Sequence, residues 1–152
     1  FWIIFVIILR EITKYDLVQE NNILGAFLYY FIGLIISRFG SLIIGKILQS
    51  KKFKFIKFAD YSEFILASDK DKKIELFSEI NNMYRTLISL FCLLLFSILY
   101  QKISDWLNIS ESLSYILLII SLIILFVFSY RKQTSFITKR VATRNKENKW
   151  SK

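Results

Sequence analysis

Four nearly uncharged apolar runs divide an otherwise lysine-rich chain. The first, FWIIFVIIL at residues 1–9, is wholly apolar. Crossing a hydrocarbon core of roughly 30 Å takes about 20 helical residues. This run therefore reads as the end of a first span whose start precedes Phe1. The alternative is the apolar part of a signal peptide, but no small-residue cleavage site follows, because Arg10, Glu11 and Ile12 come next. The second run, Ile23 to Gly45, is interrupted only by Arg38 and is long enough to span. The third, Thr86 to Gln101, has 16 uncharged residues, extended by Tyr84 and Tyr100 as interfacial anchors. The fourth, Ser112 to Tyr130, has 19 uncharged residues and ends in a basic stop, Arg131-Lys132.

The polar segments predict how these spans connect. Residues 102–111, KISDWLNISE, form a tight hairpin with Trp106 at an interface, which makes spans three and four antiparallel neighbours. Asn108 or Ser110 caps the fourth helix by accepting from its free backbone donors. Asn108-Ile109-Ser110 also matches the glycosylation sequon, a three-residue pattern common by chance. Ser68, followed by Asp69 and Asp71, predicts the start of a helix that continues without a breaker into span three, over 69–101, about 50 Å long. Leu76, Ile80, Met83 and Leu87 make an apolar stripe along it, suited to packing on a helix of the same chain or of another subunit. Residues 51–66, KKFKFIKFADYSEFIL, interleave Lys51, Lys52, Lys54 and Lys57 with aromatics. They fit either an interfacial helix on anionic lipid or a loop packed on neighbouring helices.

Composition sharpens this picture. The chain of 152 residues is 55% hydrophobic, with mean hydropathy +0.46, no proline and four glycines. That is too apolar for a soluble domain to hide and too poor in breakers for a turn-rich sandwich, so the expected class is an all-α, multi-pass membrane protein. The units are 1–45 (spans one and two), 46–85 (a helical cytoplasmic or interfacial segment), 86–130 (spans three and four) and 131–152 (a basic tail).

Charge then sets the orientation. Residues 10–20 and the 102–111 hairpin each sum to −1, whereas residues 46–57 carry five lysines and no acid, and residues 131–152 carry eight basic residues against Glu147. Basic loops stay on the cytoplasmic side, so four spans put both termini in the cytoplasm and the protein in the inner (cytoplasmic) membrane.

Candidate chemistry is sparse. With no histidine and only Cys92, there is no Cys/His metal site, no Ser-His-Asp triad and no intrachain disulfide. Walker loops and GxSxG are absent too, so no catalytic residue, cofactor or metal is expected and the protein is not expected to be an enzyme. Gly33, Ser37, Ser41 and Gly45 recur at intervals of four on span two and form a helix-packing seam, used for self-association or for another helix of the chain. Arg38 is the one charge inside a span. It faces a water-lined cavity or pore, bonds to Tyr29, Tyr30, a carbonyl, a lipid phosphate or an acid of residues 60–63, or serves a proton or substrate. Arg131, Lys132, Lys139 and Arg140 belong to a tail of net charge +7, suited to anionic headgroups. Phe136 and Trp150 are too sparse for a nucleic-acid stacking platform.

With FIGLIISRFGSLIIG (31–45), EINNMYRTLISLF (79–91) and FSYRKQTSFITKR (128–140) in view, the chain resembles small polytopic bacterial membrane proteins, among them membrane components of antiphage defence systems. That resemblance implies a protein whose oligomer perturbs the membrane or recruits a cytosolic partner during infection. The expected function is a homo-oligomeric, channel-like or membrane-perturbing effector. The alternative is a membrane anchor or sensor that docks a cytosolic protein through residues 51–85 and the tail.

Overall fold

The computed structural model describes residues 2–50, 56 and 59–150. These form helices α1 (Trp2–Ile12), α2 (Asn22–Phe39), a π-helical turn (Gly40–Ile44), α3 (Gly45–Gln49), α4 (Tyr61–Lys70), α5 (Lys72–Leu107) and α6 (Glu111–Trp150). Among the described residues there is no strand. Three helices are long and apolar enough to cross a membrane: Asn22–Gln49, which joins α2, the π turn and α3, then Lys72–Leu107, and Glu111–Asn145. With 11 residues, α1 is shorter, yet it supplies much of the core. Its Phe5, Val6 and Leu9 are buried with Ile32 and Ile36 of α2 and Leu90 and Leu94 of α5.

Capping explains the helix boundaries and corrects two expectations. The side chain of Asn21 accepts from the Ile23 and Leu24 amides at 2.9 and 3.2 Å and starts α2. The long helix starts at Lys72 rather than after Ser68, because Asp71 breaks the chain into an extended conformation and its carboxylate accepts from the Lys73 amide at 2.9 Å. Ser68 lies inside α4 and donates to the Ile65 carbonyl. At the hairpin, Asn108 ends α5 instead of starting α6. It adopts a left-handed conformation, φ 51°, which asparagine tolerates and which stops a helix. Ser110 takes the capping role, its hydroxyl accepting from the Leu113 amide at 3.3 Å.

Helix directions follow from cross-contacts. Phe39 meets Phe96 edge-on at 6.1 Å and Gly45 lies by Arg85, so α2 with its continuation and α5 run antiparallel. Phe31 stacks on Phe126 and Ser41 bonds Lys132, so α2 and α6 run parallel. The expected side-by-side pairing of spans three and four gives way to a different arrangement: α6 packs on α2, the π turn and α4. The face of α5 that carries Ser89, Leu90 and Leu94 is taken up by α1, α2 and the π turn. Little of α6 is buried; Ile119 is 56% exposed and Val127 61%. A helix apolar on every side suits lipid rather than water.

The acidic loops meet at one end of the bundle. Lys14 donates to both carboxylate oxygens of Asp105 at 3.1 Å, and its amide donates to the Gln101 side chain at 3.2 Å. Burial, with Tyr100 and Asp105 adding to it, pushes the Tyr15 phenol above its usual 10.0, while Lys14 opposes the shift. The folded state thus favours the neutral phenol. Its stabilising contribution is complete below the unfolded value and lost as pH rises through the folded one. Thermal unfolding in neutral detergent is expected to lose ground above about pH 10, and Tyr15→Phe to lose less. Identical alkaline profiles for the two proteins would contradict this.

Candidate functional site

At the opposite end, the π turn organises the polar chemistry. The amide of Gly45 reaches back five residues to the Gly40 carbonyl. In an α-helix each residue turns about 100°, so a strict four-residue repeat drifts about 40° per step. Three steps, Gly33 to Gly45, would carry the small residues about a third of the way round. One wide turn accommodates an extra residue and takes back most of that drift. Gly33 and Gly45 are buried and Ser37 and Ser41 half-buried, in keeping with a seam held near one face.

Gly40 allows α5 to come close. A Cβ built there would overlap Ser89 Oγ and stand 3.3 Å from the Arg85 carbonyl oxygen. Ser89 is fully buried and donates its hydroxyl to that same carbonyl at 2.6 Å.

Four basic side chains collect around this turn. Lys132 of α6 donates to the Ser41 carbonyl and, at 2.8 Å, to the Ser41 hydroxyl, with its ammonium 5.6 Å from the centre of the Phe136 ring. Arg85 enters from α5, its Cδ 3.7 Å from where a Cβ on Gly45 would stand. Its Nε is buried without a hydrogen-bond partner among the described residues. Lys46 follows Gly45 directly, and Lys132 lies within electrostatic reach of Arg85, Lys46 and Arg38. Among the described residues none of these four cations joins an ion pair; carboxylates pair instead with Arg10, Lys14 and Arg144. Like charges collected at a half-buried site repel unless an anion compensates them.

Two of the partners expected for Arg38, Tyr29 and Asp60, are engaged with other groups. The Tyr29 hydroxyl accepts from the Gln19 amide, and the Asp60 carboxylate accepts from the Ser62 hydroxyl, which holds the Asp60 carboxyl below its usual range. Arg38 itself is half-buried on the last turn of α2. Ser41 and Gly45 of the seam are engaged within the chain, by Lys132 and Arg85. Arg131, Lys139 and Arg140 are exposed on α6, which continues from the fourth apolar run without a break through the basic tail. Lys51, Lys52, Lys54 and Lys57 lie outside the described residues. Sequence reasoning missed Gly40, Lys46 and Arg85 as members of the site. A usable signal was present, since Lys46 is the first charge after one apolar run and Arg85 the last before another.

Comparison of the chain with protein-family models, with curated proteins and with solved structures finds no match.

Proposed function

We propose that this chain is a homo-oligomeric, four-span protein of the cytoplasmic membrane, with both ends cytoplasmic, acting without catalysis as a channel-like or membrane-perturbing effector. The observation that carries the oligomer is the stripe on α5 below its uncharged run. Leu76 is 54% exposed, the neighbouring Phe77 61% and Met83 40%, although Glu75, Glu79, Asn81 and Asn82 put this part of the helix in a polar setting. Leu76, Ile80, Met83 and Leu87 are spaced by four, three and four, the repeat by which like helices associate. Lipid would not cover such a stripe, and a second copy would. The burial of α1 against α2 and α5 supports counting it as a span, the first of four. The role in bacterial defence against phage rests on the resemblance of the three segments named above.

A specific contact favours the alternative, an anchor for a cytosolic protein. Arg144 pairs with Asp69, and Tyr61 stacks on Phe136 at 5.1 Å, fixing α4 to the helical extension of α6 as a built surface.

The test uses the full chain with Cys92 replaced by serine. Met83→Cys is expected to form disulfide-linked dimers in native membranes. Ser104→Cys should label from outside and Ser135→Cys from inside, and the reverse pattern would sink the topology. In liposomes, wild-type protein is expected to pass ions, Arg38→Lys to keep much of the flux, and Arg38→Leu to lose about tenfold or more while still assembling. Absence of flux under every trigger, with stable co-purification of a cytosolic protein, would favour the anchor.

A further inference from the structure

The basic cluster at the π turn, without an ion pair among the described residues, lies at a particular depth. Lys46 follows the second apolar run, Arg85 precedes the third, and Lys132 stands two residues beyond the end of the fourth. Three helices thus each deliver a cation where the hydrocarbon-compatible sequence stops, and Arg38 lies deeper, about 12 Å from Lys46 along the helix axis. That level is where lipid phosphates are found. Arg85 is half-buried, its Nε has no hydrogen-bond partner among the described residues, and a guanidinium suits phosphate, whose oxygens accept in the plane of the fork.

We infer that Arg85, Lys132 and Lys46, gathered around the π turn, form a binding site for the phosphate of an anionic phospholipid headgroup, with Arg38 supporting it from deeper in the bilayer. The site rests on the membrane reading but on neither the oligomer nor the channel. Arg85 supplies the directional donor. Lys132, already fixed by the Ser41 carbonyl and hydroxyl, presents its charge at a set position. Lys46 is exposed and closes the site from the water side. The ligand resolves the repulsion among the four cations, so the assembled bundle is expected to be most stable when it is bound.

The experiment measures thermal stability of the full-length protein in neutral detergent, titrated with phosphatidylglycerol, with phosphatidylcholine and with inorganic phosphate. Phosphatidylglycerol is expected to half-saturate at about tenfold lower concentration than phosphatidylcholine. Arg85→Gln and Lys46→Gln should each abolish that preference. Lys46 is exposed, so its variant keeps the test decisive if Arg85→Gln fails to fold. Lys72→Gln and Lys73→Gln, which remove exposed charges at the start of α5 outside the site, should retain it. Equal response to the two lipids would overturn the site, as would loss of the preference in the Lys72 and Lys73 variants to the same degree as in Lys46→Gln. Stabilisation by inorganic phosphate at the same phosphate concentration as phosphatidylglycerol would assign the site to free phosphate and overturn the lipid. Release of the protein from membranes by alkaline carbonate would instead defeat the membrane reading, so the two failures are distinguishable.

Discussion

Gly40→Leu is expected to leave no correctly assembled protein, and Gly40→Ala to lose about 1–3 kcal/mol. The reason is local and steric. The position a Cβ would take overlaps Ser89 Oγ and stands 3.3 Å from Ser89 Cβ. A flexible surface group could swing away, but Ser89 is fully buried and its hydroxyl is tied to the Arg85 carbonyl at 2.6 Å. Relief therefore requires α5 to withdraw from the π turn, which would separate Phe39 from Phe96 and open the contact that orients Arg85. Ser89→Ala removes the overlapping oxygen and should rescue Gly40→Ala in part, with a coupling of roughly 0.5–3 kcal/mol between the two sites. Additive losses would show that the clash is not the cause. The readout is thermal unfolding in detergent for the alanine variants and monodispersity for the leucine variant.

Lys132→Met is expected to loosen α6 from the bundle. Methionine keeps much of the volume and removes the charge, so it would be neutral or stabilising if Lys132 were only a desolvated cation among other cations. The packing of α6 argues for the opposite sign. Among its described side chains only Ser129 is buried, and its ties to the rest of the chain include the Phe31–Phe126 stack, the Tyr61–Phe136 stack, the Arg144–Asp69 pair and the two Lys132 bonds to Ser41. A hydrogen bond from a charged donor contributes about 1.5–3 kcal/mol. Few apolar contacts are available to replace it. Disulfide formation between cysteines introduced at Phe31 and Phe126 is expected to fall several-fold in Lys132→Met and to be preserved in Lys132→Arg, in a Cys92→Ser background. Undiminished crosslinking in Lys132→Met would show that lipid and ring stacking alone hold the helix.

The sequence alone determined the all-α class and the apolar stretch of each long helix, because both depend on one-dimensional quantities; it did not show that α6 runs on through the basic tail to Trp150. An uncharged apolar run leaves water whatever its neighbours are, and a chain without proline has little to break the helix that lipid demands. The local stops were legible as residue types but not as roles. Asn108 and Ser110 both read as caps of the fourth helix, and Ser110 takes that role while Asn108 ends α5, since asparagine starts helices through its side chain and ends them through its left-handed backbone, and only the tertiary structure distinguishes the two. Asp71, not Ser68, starts α5 for a similar reason, as both residue types compete for the same free amides.

The site was less legible. The interval of four among Gly33, Ser37, Ser41 and Gly45 pointed to a seam, but the π turn, which compensates for the mismatch between that interval and an α-helix, is fixed by what packs against it. Arg85, Lys46 and Lys132 lie 39 and 47 residues apart along the chain, each readable alone as an ordinary basic flank. Their convergence was decided by tertiary structure. Gly40 brings α5 into contact with the turn, Ser41 holds Lys132 of α6 on its other side, and the antiparallel and parallel helix directions put three span boundaries at one level. Hydropathy records how far each residue is from water. It carries no information on which boundary charge will face which other, because that depends on helix rotation and packing distance, and these are set by contacts between segments.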